Sequence, residues 1–478
     1  MEFRNASKFY INGKWVEPAT TQLADVIDPV TEAVCGQIAL GNAEDVDRAV
    51  QAARRAFGDW GISTVDARLE IMSRILEIYQ RRIDEVASAI TLEMGAPANI
   101  ARNVQAEMGV IHMSAAIEAL KTYRFSEMRG STCILYEPIG VCSLITPWNW
   151  PINQVVCKVA PALATGCTMV LKPAEVAPLS TLIWAEILDE AGVPPGVFNL
   201  VNGTGEDVGV PMSTHPEVDM VSFTGSTRAG INVARNAADT VKRVHQELGG
   251  KSANILLPDA DFETAVEHCV KAVALNSGQN CNAPTRLLVP ADRLEDVERI
   301  ATTAGEAIKV GAGKDTLDMG PVISDVQWSR IQDLIESGVA EGAHLLVGGP
   351  GKPEGFNAGY FVRYTIFSRA NNKMRIAQEE IFGPVLTIIP YGSIDDAVEI
   401  ANDTPYGLAS YVSSTDEATI RGIVPRLRSG QVVINGTAPD PMAPFGGYKQ
   451  SGNGREWGDF AFHDFLEVKA ALGYPGAA

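Results

Sequence analysis

Asn42 is followed by apolar residues at Val46, Val50, Ala53 and Phe57, spaced as one face of a helix. Asn42 itself is suited to cap that helix. A longer helical pattern runs from Val65 to Met94, with Gly95 as its stop signal. Residues 105–123 also read as helical, and 131–137 as a strand ended by Pro138. A regular rhythm follows. Strands are expected over 140–146, 167–171, 197–201, 218–224 and 243–248, with helices over 152–165, 178–191, 206–213 and 229–241 between them. Apolar strands alternating with helices imply a mostly parallel sheet covered on both faces.

The rhythm restarts after Gly250. Strands are expected over 254–257, 285–289 and 384–390, and helices over 294–310 and 326–341. An amphipathic helical run over 261–277 leads into Gly278-Gln-Asn-Cys281-Asn282, just before the strand 285–289. The fold class is therefore α/β, with two α/β units meeting near Gly249-Gly250-Lys251. The segment 350–356, rich in Pro and Gly, reads as a surface loop.

At 478 residues the chain is too long for one ordinary core. Lys and Arg total 39 against 58 Asp and Glu, a formal charge of −19, which argues against a nucleic-acid or anionic-membrane surface. The N-terminal residues carry no apolar signal-peptide core, and no apolar stretch approaches membrane-spanning length. The seven cysteines are odd in number and include no C-x-x-C, so a reducing, cytoplasmic setting is expected rather than a disulfide framework. The six histidines show no metal-ligand spacing, and no metal is expected.

Several segments can carry chemistry. Cys281 lies at a helix-to-strand junction, where a thiol can face a cleft beside a backbone N–H. Taken alone it reads rather as an ordinary buried cysteine. Gly225, Ser226 and Thr227 join a strand to a helix, an arrangement that holds a phosphate or simply caps the helix. Lys172 and Glu175 follow a strand end, where ligands bind in open parallel sheets, or where a surface ion pair forms. Asn149, between Pro147 and Pro151, is a rigidly held amide suited to an oxyanion, or an Asx turn. Glu247 precedes Gly249-Gly250 as a strand-end carboxylate, or a solvated residue before a turn.

Seven segments occur in order: Pro147-Trp-Asn-Trp-Pro151, Lys172-Pro-Ala-Glu175, Phe223-Thr-Gly-Ser-Thr227, Glu247-Leu-Gly-Gly-Lys251, Gly278-Gln-Asn-Cys281, Glu379-Glu-Ile-Phe-Gly-Pro384 and Pro444-Phe-Gly-Gly-Tyr-Lys-Gln-Ser-Gly-Asn-Gly-Arg-Glu456. The set resembles the aldehyde dehydrogenase superfamily, from Lys8 to about Leu472. The resemblance implies NAD(P)-dependent oxidation of an aldehyde to an acid. Cys281 is then the nucleophile, Asn149 with the Cys281 N–H the oxyanion hole, and Glu247 the base that activates water. Glu456 matches a second acid sometimes assigned to proton relay.

For the cofactor, the resemblance implies contacts from Ile145, Trp148, Lys172, Glu175, Gly205, Gly225, Ser226, Leu248, Glu380 and Phe382. Glu175 near a ribose 2′-hydroxyl favours NAD over NADP, and Lys172 beside it leaves NADP as a second cofactor. The implied substrate tunnel is lined by Trp150, Asn153, Gln154, Cys157, Asn280, Asn282, Asp440 and Met442. Cys157 stands where relatives often carry a large aromatic, so a roomier tunnel is expected. No Arg or Lys stands among these positions to clamp a carboxylate, which points to a bulky neutral aldehyde. The detail around Gln279–Pro284 and 435–439 instead resembles bacterial catabolic members, including those that oxidise long-chain oxo acids.

The implied architecture is a Rossmann-like cofactor-binding domain over 1–118 and 139–249, a catalytic domain over 250–450, and bridging segments 119–138 and 451–478. The bridge, with strand 131–137 and segment 460–473, implies a homodimer or homotetramer. Three other readings compete. An acylating, coenzyme A-dependent relative has no need of Glu247. A crystallin-like structural protein has no need of Cys281, Asn149 and Glu247 together. A cysteine hydrolase leaves the dinucleotide segments unexplained.

Overall fold

A computed structural model describes residues 3–313 and 316–475. Positions 1–2, 314–315 and 476–478 of the expected domains lie outside the described residues. The apolar runs form two large sheets with helices on both faces.

In the first sheet, five parallel strands stand in the order Arg243–Glu247, Met220–Thr224, Val141–Ile145, Thr168–Lys172 and Phe198–Leu200. The chain starts in the middle, at Val141–Ile145, winds outward to Phe198–Leu200, then returns to the other side through Met220–Thr224. The order therefore reverses between Val141–Ile145 and Met220–Thr224. Such a switch point opens a crevice at the carboxyl ends of its two strands. Both strands are buried throughout, as expected for a sheet covered on both faces.

The second sheet runs His344–Val347, Thr365–Ser368, Val385–Tyr391, Arg286–Pro290, Ala253–Leu256, Ala409–Ser413 and Gln431–Ile434, parallel except at the first pairing. Its strands Ala253–Leu256 and Arg286–Pro290 begin just after Gly250 and Cys281. The amino edge of this sheet thus faces the carboxyl edge of the first.

A small antiparallel sheet pairs Leu466–Leu472 with Thr132–Pro138, and that strand with Ser126–Arg129. Val468 and Leu472 are exposed on it. Arg243 anchors it to the first sheet, its Nη1 donating to Asp464 O at 3.0 Å and Leu466 O at 2.7 Å.

The structure differs from the sequence reading in several places. The helix expected over 294–310 ends at Glu306, and that expected over 229–241 ends at Ala237, followed by a 3₁₀ turn, Ala238–Thr240. The helix expected over 105–123 is a π-turn, Ala101–Gln105, followed by Glu107–Thr122. That expected over 206–213 is a π-turn, Gly205–Gly209, followed by Val210–Thr214. The helix expected to reach Ser277 ends at Ala274, because Asn276 and Ser277 turn left-handed. Of the segment 460–473, only Leu466–Leu472 is strand; Phe460–Phe465 is a 3₁₀ coil. Gly452–Asn453, expected in the bridge, instead pairs with Arg243–Glu247 at the edge of the first sheet. No helix among the described residues is long and apolar enough to cross a membrane.

Candidate active site

Asn149 sits past the end of strand Val141–Ile145, just before helix Pro151–Thr165. Pro151 opens that helix, where its missing N–H costs nothing. The Asn149 side chain is buried and donates one amide hydrogen to Gln279 O at 2.9 Å. A primary amide has two N–H groups. One therefore fixes the group and the other is left to a ligand.

Cys281 emerges from a turn of unusual backbone. Asn276, Ser277 and Gly278 all have positive φ, at 54°, 57° and 73°. Left-handed backbone is costly for non-glycine residues and persists where surrounding contacts impose it. Here they do. Asn276 Nδ2 donates to Asn149 O at 2.7 Å, its Oδ1 accepts from Gln105 Nε2 at 2.8 Å, and its O accepts from Gln279 Nε2 at 3.0 Å. Ser277 Oγ donates to Gly320 O at 2.8 Å, and Ile323 N to Gln279 Oε1 at 2.9 Å. Trp150 Nε1 donates to Asn280 Oδ1, and Tyr411 Oη to Asn282 O at 2.8 Å. The segment bearing the thiol is thus bonded directly to the segment bearing Asn149.

Glu247 is not the solvated turn residue that its segment alone allows. It is 3% exposed, and neither carboxylate oxygen has a hydrogen-bond partner among the described residues. Burial raises its pKa well above the usual carboxylate range, the nearby Glu456 raises it further, and Lys158 and Arg455 oppose the rise. Glu456 is itself buried and paired with Lys158, Nζ to Oε1 at 2.7 Å. The Cys281 thiol is pushed up by burial, then by Glu380, Glu247 and Glu456. A thiol so placed stays protonated until a base or a cation acts on it.

The paired glycines after Glu247 supply clearance. A Cβ on Gly250 would lie 2.2 Å from Cys281 O, and one on Gly249 2.4 Å from Glu380 Oε2. Glycine is required there by close approach. Glu380 Oε1 accepts from Gly250 N at 2.9 Å, which opposes the effect of burial; its pKa still rises to about 7.

The crevice at the switch point suits a dinucleotide. Buried polar groups with no hydrogen-bond partner among the described residues stand at or past the carboxyl ends of three strands of this sheet: Thr146 Oγ1, both amide atoms of Asn202, and Thr224 Oγ1. Buried polar groups ordinarily find hydrogen bonds, so this edge is built for a polar ligand. Ser226 caps helix Thr227–Ala237, its Oγ accepting from Ala229 N at 3.3 Å. Gly225 N is tied to Glu247 O at 3.1 Å. Lys172 is buried and reaches the half-exposed Glu175 at 3.2 Å, so the ion pair is present at the strand end. Trp148 meets Phe382 edge-on at 5.4 Å between ring centres. Ile145 and Leu248 are buried, whereas Gly205 is exposed at the start of its π-turn.

Of the expected tunnel positions, Asn153 and Cys157 lie on one face of helix Pro151–Thr165, Trp150 immediately precedes the helix, and Gln154 is buried within it. Asn280 and Asn282 flank Cys281. Asp440 and Met442 stand on an exposed loop, where Asp440 Oδ1 accepts from Met442 N at 2.9 Å. Sequence reasoning missed Lys158, Asn276, Gln105, Tyr411 and His112. Lys158, inside the apolar run 152–165, is the one that carried a signal: a lysine in a buried helix requires a partner.

Comparison with known proteins agrees with this geometry. The model of the aldehyde dehydrogenase family matches residues 15–471. The chain is 55% identical to a 3-succinoylsemialdehyde-pyridine dehydrogenase of a Pseudomonas species, over 99% of this chain and all of that protein. Among solved structures, it superposes on aldehyde dehydrogenase C of Pseudomonas syringae with a TM-score of 0.98, at 51% identity over 99% of this chain and 98% of the other. That protein was crystallised as a cysteine-to-alanine variant with NAD+ and octanal. An aldehyde dehydrogenase of Mycobacterium tuberculosis, complexed with NAD+, superposes at 0.95 with 40% identity over 98% of each chain. The buried carboxylate, the braced amide, the thiol between two α/β sheets and the family match meet in one conclusion: the chain belongs to the aldehyde dehydrogenase family.

Proposed function

We propose that Cys281, Asn149 and Glu247 carry out NAD-dependent oxidation of an aldehyde to its acid, with water as acyl acceptor. The observation that carries this reading is Glu247, a buried carboxylate with no hydrogen-bond partner among the described residues, near enough to the Cys281 thiol to raise its pKa.

The Cys281 thiol loses its proton and its sulfur attacks the aldehyde carbon, giving a thiohemiacetal. The developing oxyanion is held by the free Asn149 N–H and the Cys281 backbone N–H. NAD, when bound, supplies the acceptor for the hydride. Thr146, Asn202, Thr224, Ser226, Lys172 and Glu175 would hold its adenosine and phosphate portion, and Glu380, Phe382, Trp148, Ile145 and Leu248 the nicotinamide side. The acyl group then rests on Cys281 as a thioester. Glu247 takes a proton from water, which attacks the thioester carbon and releases the acid and the thiol. A carboxylate of raised pKa is suited to that work near neutral pH.

The division into a cofactor domain, a catalytic domain and bridging segments is proposed on the same footing. It is supported by the two sheets, and by the exposed Val468 and Leu472 on the small one, which favour a homodimer or homotetramer. Of the relatives named above, the Pseudomonas dehydrogenase is named for a semialdehyde and the Pseudomonas syringae enzyme was crystallised with octanal, which favours an extended aldehyde here.

The test is NADH formation across aromatic, aliphatic and semialdehyde substrates, with Cys281→Ala beside the wild type. The variant is expected to bind NAD and form no NADH. Appreciable turnover by it would overturn the assignment.

A further inference from the structure

His112 lies on helix Glu107–Thr122, which packs on helix Pro151–Thr165. The residue is 5% exposed, and Nε2 has no hydrogen-bond partner among the described residues. Its ring stands 5.0 Å from that of Trp457, and Trp457 stacks on Phe445 at 4.6 Å. The Asn153 amide meets the imidazole, and the Cys157 thiol meets the Trp457 indole.

This cluster adjoins the reactive thiol through one helix face. Asn153 and Cys157, four residues apart, share one face of helix Pro151–Thr165, and Trp150 stands at its start. At 1.5 Å per residue the stretch from Trp150 to Cys157 runs roughly 10 Å. Its near end is bonded to Asn280, next to Cys281. Its far end is the His112–Trp457 cluster. Cys157 at that end is short and buried, and both it and His112 meet the Trp457 ring.

We propose that His112 is a specificity-determining residue, which hydrogen-bonds a neutral hydroxyl at the distal end of an extended aldehyde. The inference rests on the reaction proposed above and names its substrate class. A buried imidazole nitrogen without a partner gains nothing for the fold and is left for a ligand. Burial lowers the His112 pKa to about 4, against the opposing Asn153 bond, so the ring is neutral near pH 7. A neutral ring offers one donor and one acceptor, and a hydroxyl satisfies either. A carboxylate requires a cation instead, and the nearby Lys158 ammonium is committed to Glu456.

The test measures kcat/KM of the full chain with NAD for octanal, 8-hydroxyoctanal and 8-oxooctanoate, in wild type, His112→Phe and His112→Gln. The wild type is expected to favour 8-hydroxyoctanal over octanal. His112→Phe is expected to lower that ratio about three- to tenfold, the worth of one hydrogen bond, and His112→Gln to restore part of it. An unchanged ratio in both variants, or a wild-type preference for the carboxylate, overturns the inference. NAD binding by each variant, read from tryptophan fluorescence, separates a misfolded protein from a folded one of altered specificity. A wild type that oxidises no aldehyde defeats the proposed reaction itself. One that oxidises all three without favouring the hydroxyl defeats only the role of His112.

Discussion

Asn276 Nδ2 donates to the backbone oxygen of Asn149 at 2.7 Å, joining residues 127 positions apart. The bond couples the turn that carries Cys281 to the amide proposed to stabilise the oxyanion. Removing it is expected to disturb both. Asn276→Ala leaves buried partners on Gln105 and Asn149 unpaired, at a cost of about 1–3 kcal/mol. The expected outcome is a lower Tm, with a fall in kcat at nearly unchanged NAD affinity. Thermal unfolding and steady-state kinetics on the same preparation check it.

Asn149→Ala removes the proposed oxyanion donor. One such donor is worth roughly 10²- to 10³-fold in kcat. The loss should appear in kcat and kcat/KM alike, because the interaction strengthens in the transition state. A variant that changes only KM would assign Asn149 to substrate binding instead.

Much of this arrangement is legible in the sequence. The strands around the switch point, Val-Cys-Ser-Leu-Ile and Met-Val-Ser-Phe-Thr, are mostly apolar runs, and Cys281, Glu247 and Asn149 sit in compact local segments. The bracing is not legible. Lys158 and Glu456 are 298 positions apart, beyond any periodicity. The helical pattern over 261–277 carries no mark of the left-handed turn at Asn276, which tertiary hydrogen bonds impose. The N-terminal strands Phe9–Ile11 and Lys14–Val16 are three residues each, too short for alternation to register. Strand Ala409–Ser413 carries two serines in five residues, which hides it among loops.

Lys158→Met should act on both stability and pH dependence. It leaves Glu456 buried and unpaired, at a cost of about 3–5 kcal/mol, and Glu456→Gln in the same chain should recover part of that. Glu247 works as a base only when ionised, and its pKa is raised, so turnover should rise with pH through that pKa. Lys158 lowers the Glu247 pKa, so losing it should move the rising limb to higher pH. A pH–rate profile of the variant checks the direction; a shift to lower pH would contradict it.

Glu175→Ser should raise kcat/KM for NADP relative to NAD. The change removes a negative charge from the strand end and frees the Lys172 ammonium, now held by Glu175 at 3.2 Å, for a 2′-phosphate. An unchanged ratio would mean that neither side chain reads the 2′ position.

The most direct test of the proposed chemistry is mass spectrometry of Glu247→Gln, quenched after mixing with NAD and aldehyde. With the water-activating carboxylate gone, thioester hydrolysis should slow while hydride transfer persists through any remaining base. The predicted result is an acyl adduct of the substrate's mass, less two hydrogens from the adduct with intact aldehyde, localised to the peptide bearing Cys281. Wild-type turnover with no adduct, or an adduct on another cysteine, would contradict the account.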